Sequence, residues 1–197
     1  EVESWMVAIS PFEVEFNSGD LFEIEVLPQF ERLPYPFRIS RDVTIPVGSY
    51  QFTRYGVRVE TATKRPWVVN FEGEFGDFYS GTSRNFGLGL TLKPSHHLHL
   101  GLEVERADVD LAQGRFFTQL FSVQANYNFS PNISWANLVQ YDNGSRILGF
   151  QTRFRWILQP GNDLFLVLNR GWFKTYERDY ISSFDRGTIK FQYNFRF

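Results

Sequence analysis

The chain has 197 residues and no cysteine, and its 20 basic against 22 acidic side chains leave a formal net charge of −2. This excludes a disulfide framework and thiol chemistry and gives a nucleic-acid partner no electrostatic support. Aromatics reach 18%, with 22 Phe, yet mean hydropathy is −0.29, and no run approaches the roughly 18 apolar residues of a transmembrane helix.

Apolar residues instead fall at every second position, the signature of strands with one apolar and one polar face. Strands are expected over 4–16 and 21–33, joined by Asn17-Ser-Gly-Asp20, with Glu13, Glu15, Glu23 and Glu25 on polar positions. A loop over 34–49, with Pro34, Pro36, Pro46 and Gly48, leads to a strand over 50–63 that carries Arg54 and Arg58. In 67–79, Trp67, Val69, Phe71 and Phe75 alternate with Asn70, Glu72 and Glu74. In 84–93, Phe86, Leu88, Leu90 and Leu92 alternate with Asn85, Gly87 and Gly89. In 97–108, Leu98, Leu100, Leu102 and Val104 alternate with His97, His99, Glu103 and Glu105. A loop follows over 107–114, then strands over 114–129, 132–143, 146–158 and 163–176, with Arg153 and Arg155 on the polar side of the third. A loop over 177–185 precedes a last strand over 186–197.

These are about eleven strands, many longer than ten residues. Globular strands average five or six, whereas a tilted strand needs about 9–11 to cross a bilayer. The polar positions hold Glu, Arg, Asn and Gln, and the others are almost purely apolar and aromatic. An all-β, antiparallel transmembrane β-barrel is therefore expected, in the bacterial outer membrane. A soluble lipocalin-like barrel or sandwich, which turns its apolar face inward, is the competing reading. Absence of cysteine also suits an oxidising compartment.

The last strand places Phe191, Tyr193, Phe195 and Phe197 opposite Lys190, Gln192, Asn194 and Arg196. This pattern resembles the signal read by the barrel-assembly machinery of Gram-negative bacteria, where an amphipathic edge pairs with the machine's own strand. With Phe197 set in the periplasm, the short Pro-, Gly- or Asn-containing turns near 17–20, 64–66, 93–95, 130–132 and 159–163 all fall on the periplasmic side, and the more variable loops fall outside, together with one short connection from Asp142 to Arg146. Eleven is an odd number, and single-chain bacterial barrels have even numbers. The expectation is that 1–197 is the carboxy-terminal portion of a larger barrel, closed by 186–197. A short hairpin hidden in 34–49 would leave the parity odd.

Five segments, Asp42 to Tyr55, Gly76 to Gly81, Glu105 to Leu111, Leu138 to Asp142 and Phe154 to Val167, together resemble the barrel region of a large family of uncharacterised bacterial proteins. In that family a domain similar to carbohydrate-binding module family 9 precedes an outer-membrane barrel. The Arg155-Trp-Ile-Leu-Gln-Pro-Gly-Asn-Asp-Leu-Phe165 stretch is the most specific part. The resemblance implies an address and an architecture, with no catalytic residues and no cofactor.

Glu13, Glu15, Glu23, Glu25, Glu72, Glu74, Glu103 and Glu105 stand against Arg54, Arg58, Arg153, Arg155, Lys190 and Arg196 as the candidate lumen charges. Collected on different arcs, they set up a field that orients dipolar solutes. Paired across strands, they instead plug a scaffold. Like charges at i, i+2 require neutralising neighbours, so acidic and basic strands are expected to meet. The function expected is solute passage or capture, linked to glycans by the resemblance. The alternative is a closed anchor that docks a periplasmic or outer-membrane protein. The bilayer, lipopolysaccharide and the assembly machinery are the expected partners. His97 and His99 form a weak metal pair lacking a third ligand. They lie at the end opposite the outer serines and aspartates, and the glutamate pairs, which could serve glycoside chemistry, read more simply as lumen wall. Trp67, Trp135, Trp156 and Trp172 read as interfacial girdles, with a sugar-stacking track as the alternative. The loop 34–49, with Arg32, Arg38 and Arg41 in or beside it, is expected to constrict the lumen and face the acidic strands.

Overall fold

A computed structural model describes residues 3–175 and 179–194. Every regular element among them is a strand: β1 (Ser4–Met6), β2 (Ile9–Glu15), β3 (Leu21–Leu33), β4 (Phe37–Ser40), β5 (Val43–Ile45), β6 (Gly48–Glu60), β7 (Trp67–Phe78), β8 (Gly81–Leu92), β9 (Leu98–Leu111), β10 (Gly114–Ser130), β11 (Ile133–Asp142), β12 (Ile147–Gln159), β13 (Asn162–Lys174) and β14 (Tyr180–Gln192).

Twelve form one sheet in the order β1-β3-β6-β7-β8-β9-β10-β11-β12-β13-β14, with β2 also on β3. β1 lies against Gln29–Glu31 and β2 against the stretch from Leu21 to Val26, so the two are one strand interrupted at Val7 and Ala8. Eleven strand positions result, with β1 and β2 at one end of the order and β14 at the other. Every register resolved between neighbours is antiparallel, as short connections demand. β4 and β5 form a separate two-stranded sheet inside the predicted loop 34–49.

The sequence boundaries need three corrections. β9 runs on to Leu111 and meets β10 through a two-residue turn at 112–113, where a loop over 107–114 was expected. β8 begins at Gly81, after a turn at Tyr79 and Ser80. β14 begins at Tyr180, so most of the predicted loop 177–185 is strand. In each extension the apolar alternation fades while backbone pairing continues. The expected contrast between short turns at one end and long loops at the other thereby shrinks to the single segment 34–47. Of the predicted last strand, Phe195, Arg196 and Phe197 lie outside the described residues.

The chain divides into two compact units, Glu1–Gly89 with Glu105–Gln119, and Leu90–Val104 with Leu120–Phe197. The first holds a hydrophobic core of Leu33, Val43, Ile45, Val109 and Leu111, with Tyr50, Phe78, Tyr79 and Phe116 packed against it. Leu33 lies two residues from Glu31 on β3, and Val109 and Leu111 lie four and six residues from Glu105 on β9, so all three stand on the polar-face parity. The β4–β5 hairpin thus lays Val43 and the fully buried Ile45 over the polar face. The docking contact is apolar, a basis that the arginines of the segment did not suggest. Arg38 turns back on its own loop, donating to the carbonyls of Ser40 and Arg41.

Candidate functional site

The polar face of the first unit is zoned. Around the hairpin it is aromatic: Phe52 meets Phe78 at 5.7 Å and Tyr79 at 5.3 Å between ring centroids, and Tyr50 meets Tyr79 at 5.1 Å. Farther along the same strands it is charged. β6 lies between β3 and β7, and the register sets Arg58 opposite Glu23 on one side and Glu72 on the other. Arg58 reaches Glu23 at 3.1 Å, Glu72 at 3.5 Å and Glu25 at 3.8 Å. Arg54, only 3% exposed, pairs with Glu74 and lies 5.2 Å from the Phe78 ring centroid. Its contact with Glu74 is a close charge contact outside hydrogen-bond alignment.

Gly56 separates the two arginines on β6 and is itself buried. A Cβ there would stand 3.1 Å from a Glu25 carboxylate oxygen, so glycine leaves the room that carboxylate uses. The acidic and basic strands therefore meet directly, as like-charge repulsion demands. Glu23 also accepts from the Ser10 hydroxyl at 2.6 Å. Glu13, Glu15 and Glu105 are exposed.

In the second unit, Arg155 pairs with Asp163 at 3.1 Å, and both Arg155 and Lys190 lie over the Phe165 ring, at 5.4 and 5.9 Å. Glu103 accepts from Ser122 at 3.3 Å. Arg153 is exposed beside them on β12. Arg196 lies outside the described residues.

One feature of this face was not anticipated. Gly149 of β12 and Gly171 of β13 are register partners, and two adjacent strands without side chains leave a recess of about 530 Å³. Gln140 stands at one end of the glycine row, paired with Gly149. Phe184 stands at the other, paired with Gly171 and leaning over it. The next row is Leu138, Gln151, Asn169 and Arg186, one residue from each of β11 to β14. Treating 177–185 as loop hid Phe184. The pair of glycines at polar positions was the available signal.

The opposite face is an apolar belt. Trp67, Phe71 and Phe75 on β7, Phe121, Val123, Tyr127 and Phe129 on β10, Trp135 on β11 and Trp156 on β12 are all exposed. Its polar members satisfy each other. The Trp135 indole donates to Thr152 at 2.7 Å, Thr152 donates to the Asn137 side-chain oxygen at 2.8 Å, and the Asn137 amide donates to the Ala125 carbonyl at 3.2 Å. At one end of the strands the belt stops and same-parity positions become ion pairs: Arg106 with Asp108, Arg115 with Asp110, and Arg170 with Asp185, at 2.7 to 2.8 Å.

At the other end, the turn carrying Asp20 is tied to the β6–β7 turn. Arg65 grips the Asp20 carboxylate through two bonds of 2.6 Å, and the Ala62 N–H donates to it at 2.9 Å. The Ser18 hydroxyl, these backbone and arginine donors acting with it, holds Asp20 down at about 2, well below the ordinary carboxylate value.

His97 is committed locally: Nδ1 bonds the Asn128 carbonyl at 2.5 Å, and the ring lies 3.9 Å from His96 and 6.0 Å from Tyr127. Among the described residues no three His, Cys, Asp or Glu side chains gather to hold a metal ion. No family model matches the chain, and no curated protein or solved structure is significantly similar to it.

Proposed function

We propose that this sheet is the wall of an outer-membrane β-barrel whose charged face lines a lumen that passes or captures solutes. Closure of the sheet, insertion into the bilayer, contact with lipopolysaccharide and delivery by the barrel-assembly machinery are all part of this reading. The observation that carries it is the finite apolar belt, exposed across the strands and bordered by ion pairs. Soluble monomers rarely expose apolar patches beyond a few hundred Å². A bilayer covers such a belt, and water covers its charged border. The family resemblance adds a glycan-linked setting for the solute.

On this reading the β4–β5 hairpin narrows the lumen by apolar packing against the wall. Deleting residues 36–46 from the full chain should raise single-channel conductance in planar bilayers above that of the parent. The internal pairing of Arg58 with Glu23, Glu25 and Glu72 favours a second reading, a closed barrel that anchors or docks a partner protein. Parent and deletion variant both silent in membranes, while correctly inserted, would decide for the anchor.

A further inference from the structure

The recess over Gly149 and Gly171 has a chemistry of its own. Gln140, Gln151 and Asn169 each present an amide, and Arg186 presents a guanidinium. Among the described residues none of these side chains makes a hydrogen bond or ion pair. Their neighbours on the same face spend theirs: Arg155 on Asp163 and Glu103 on Ser122. Phe184 supplies an exposed ring beside the amides. A β-bulge aids its placement. Gly171 pairs with Phe184 but Trp172 pairs with Ser182, which leaves Ser183 as the extra residue. Bulges re-aim neighbouring side chains in this way.

We propose that this recess is a binding site for an acidic saccharide, a hexuronate or a short chain of them. A sugar hydroxyl both donates and accepts, and the side-chain amide is the uncharged group that does the same at fixed geometry. Three amides in two adjacent rows match a ring bearing several hydroxyls. The apolar C–H face of a pyranose packs on Phe184. Arg186, with no partner among the described residues, offers a planar fork that takes a carboxylate through two parallel bonds. The volume lies within the roughly 300–1,000 Å³ of small-ligand sites. Gly149 leaves open floor where the sugar ring approaches the backbone, beside the Phe184 ring that covers Gly171. The proposal rests on the polar face being open to solute.

The test is isothermal titration of the full chain in detergent micelles with D-glucuronate and, separately, with D-glucose. Glucuronate should bind saturably and glucose at least tenfold more weakly. Arg186→Gln should weaken glucuronate by about tenfold, as loss of one charged hydrogen-bonding group does, and should leave glucose unchanged. Gly149→Val should abolish binding. A Cβ there meets only the Gln140 carbonyl, at 3.8 Å, an ordinary contact, and valine suits a strand. Circular dichroism of the variant should therefore match the parent.

Absence of saturable binding, or binding that survives Gly149→Val, overturns the site. Equal affinity for glucose and glucuronate overturns the acidic class. Conductance on the same preparation separates the two readings. A conducting protein that ignores glucuronate loses the recess alone, and a non-conducting protein that binds it loses the pathway alone.

Discussion

At the residue scale, the charges divide by what holds them. Arg58 answers three glutamates, one of them the buried Glu23. Removing it strands a buried carboxylate, which costs more than the pair contributes. Asp20 is the opposite case, a carboxylate in a solvated turn held by short directional bonds. Its folded value of about 2 lies below the ordinary 3.8. A depressed carboxylate stabilises the folded state above the unfolded value, and the contribution fades as pH falls toward the folded one. The difference in thermal stability between the parent and Asp20→Asn should therefore be full at neutral pH and shrink between about pH 4 and 2. A difference that stays constant across that window would mean that the Ser18, Ala62 and Arg65 bonds to the ionised Asp20 carboxylate contribute nothing to folding.

At the element scale, the β4–β5 hairpin is attached through few side chains. Ile45 is fully buried and Val43 nearly so. Truncating a buried isoleucine to alanine costs about 2–5 kcal/mol. A hairpin so short has no other core to absorb that loss, so the effect is local opening rather than global unfolding. Ile45→Ala should make the chain sensitive to trypsin after Arg38 and Arg41 while the sheet stays intact. Equal cleavage of parent and variant would show that Ile45 does not hold the hairpin down.

The hairpin also marks where the sequence stops being legible. Strand positions followed from period-two alternation, because apolar and polar faces differ wherever the belt lies. Boundaries failed at Arg84, at Asp108 and Asp110, and at Ser182 and Asp185. There charged or polar residues occupy the apolar parity, and ion pairs replace apolar contacts. Hydropathy cannot follow a strand past that point, but backbone hydrogen bonding can. The short hairpin allowed for within 34–49 is present as a sheet of its own, but where it docks was not legible. Val43 and Ile45 share two-residue spacing with any short strand, and only the facing Leu33, Val109 and Leu111 give it a place to dock. The charged site was half legible: repulsion requires acidic and basic strands to meet, and the register supplies which ones. The glycine recess was legible only as two glycines at polar positions, because its formation depends on residues about 75 Å of extended chain apart, at roughly 3.4 Å each, falling into register.

At the scale of the whole molecule, the proposed reading requires a bilayer to cover the apolar belt, which sets a height the belt should have on each strand. On β10 the belt runs from Phe121 to Phe129 and on β7 from Trp67 to Phe75. Nine residues at about 3.4 Å rise span about 27 Å along the strand. A tilt of roughly 40° reduces this to about 21 Å, close to the ~25 Å band of outer-membrane barrels. Trp67, Trp135 and Trp156 all sit toward the strand ends that carry the Asp20–Arg65 turn or its equivalents, which is where an interfacial girdle belongs.

Tryptophan fluorescence in liposomes with brominated acyl chains measures that level directly. With single-tryptophan variants retaining Trp67, Trp135 or Trp156, quenching should be strongest for lipids brominated near the headgroup and should fall as the bromines move toward the bilayer centre. All three positions should report a similar depth. Unquenched emission from a properly folded chain would leave the belt to a protein partner. Three unrelated depths would mean that the tryptophans do not mark one interface, and the girdle would then give way to their use as a stacking track.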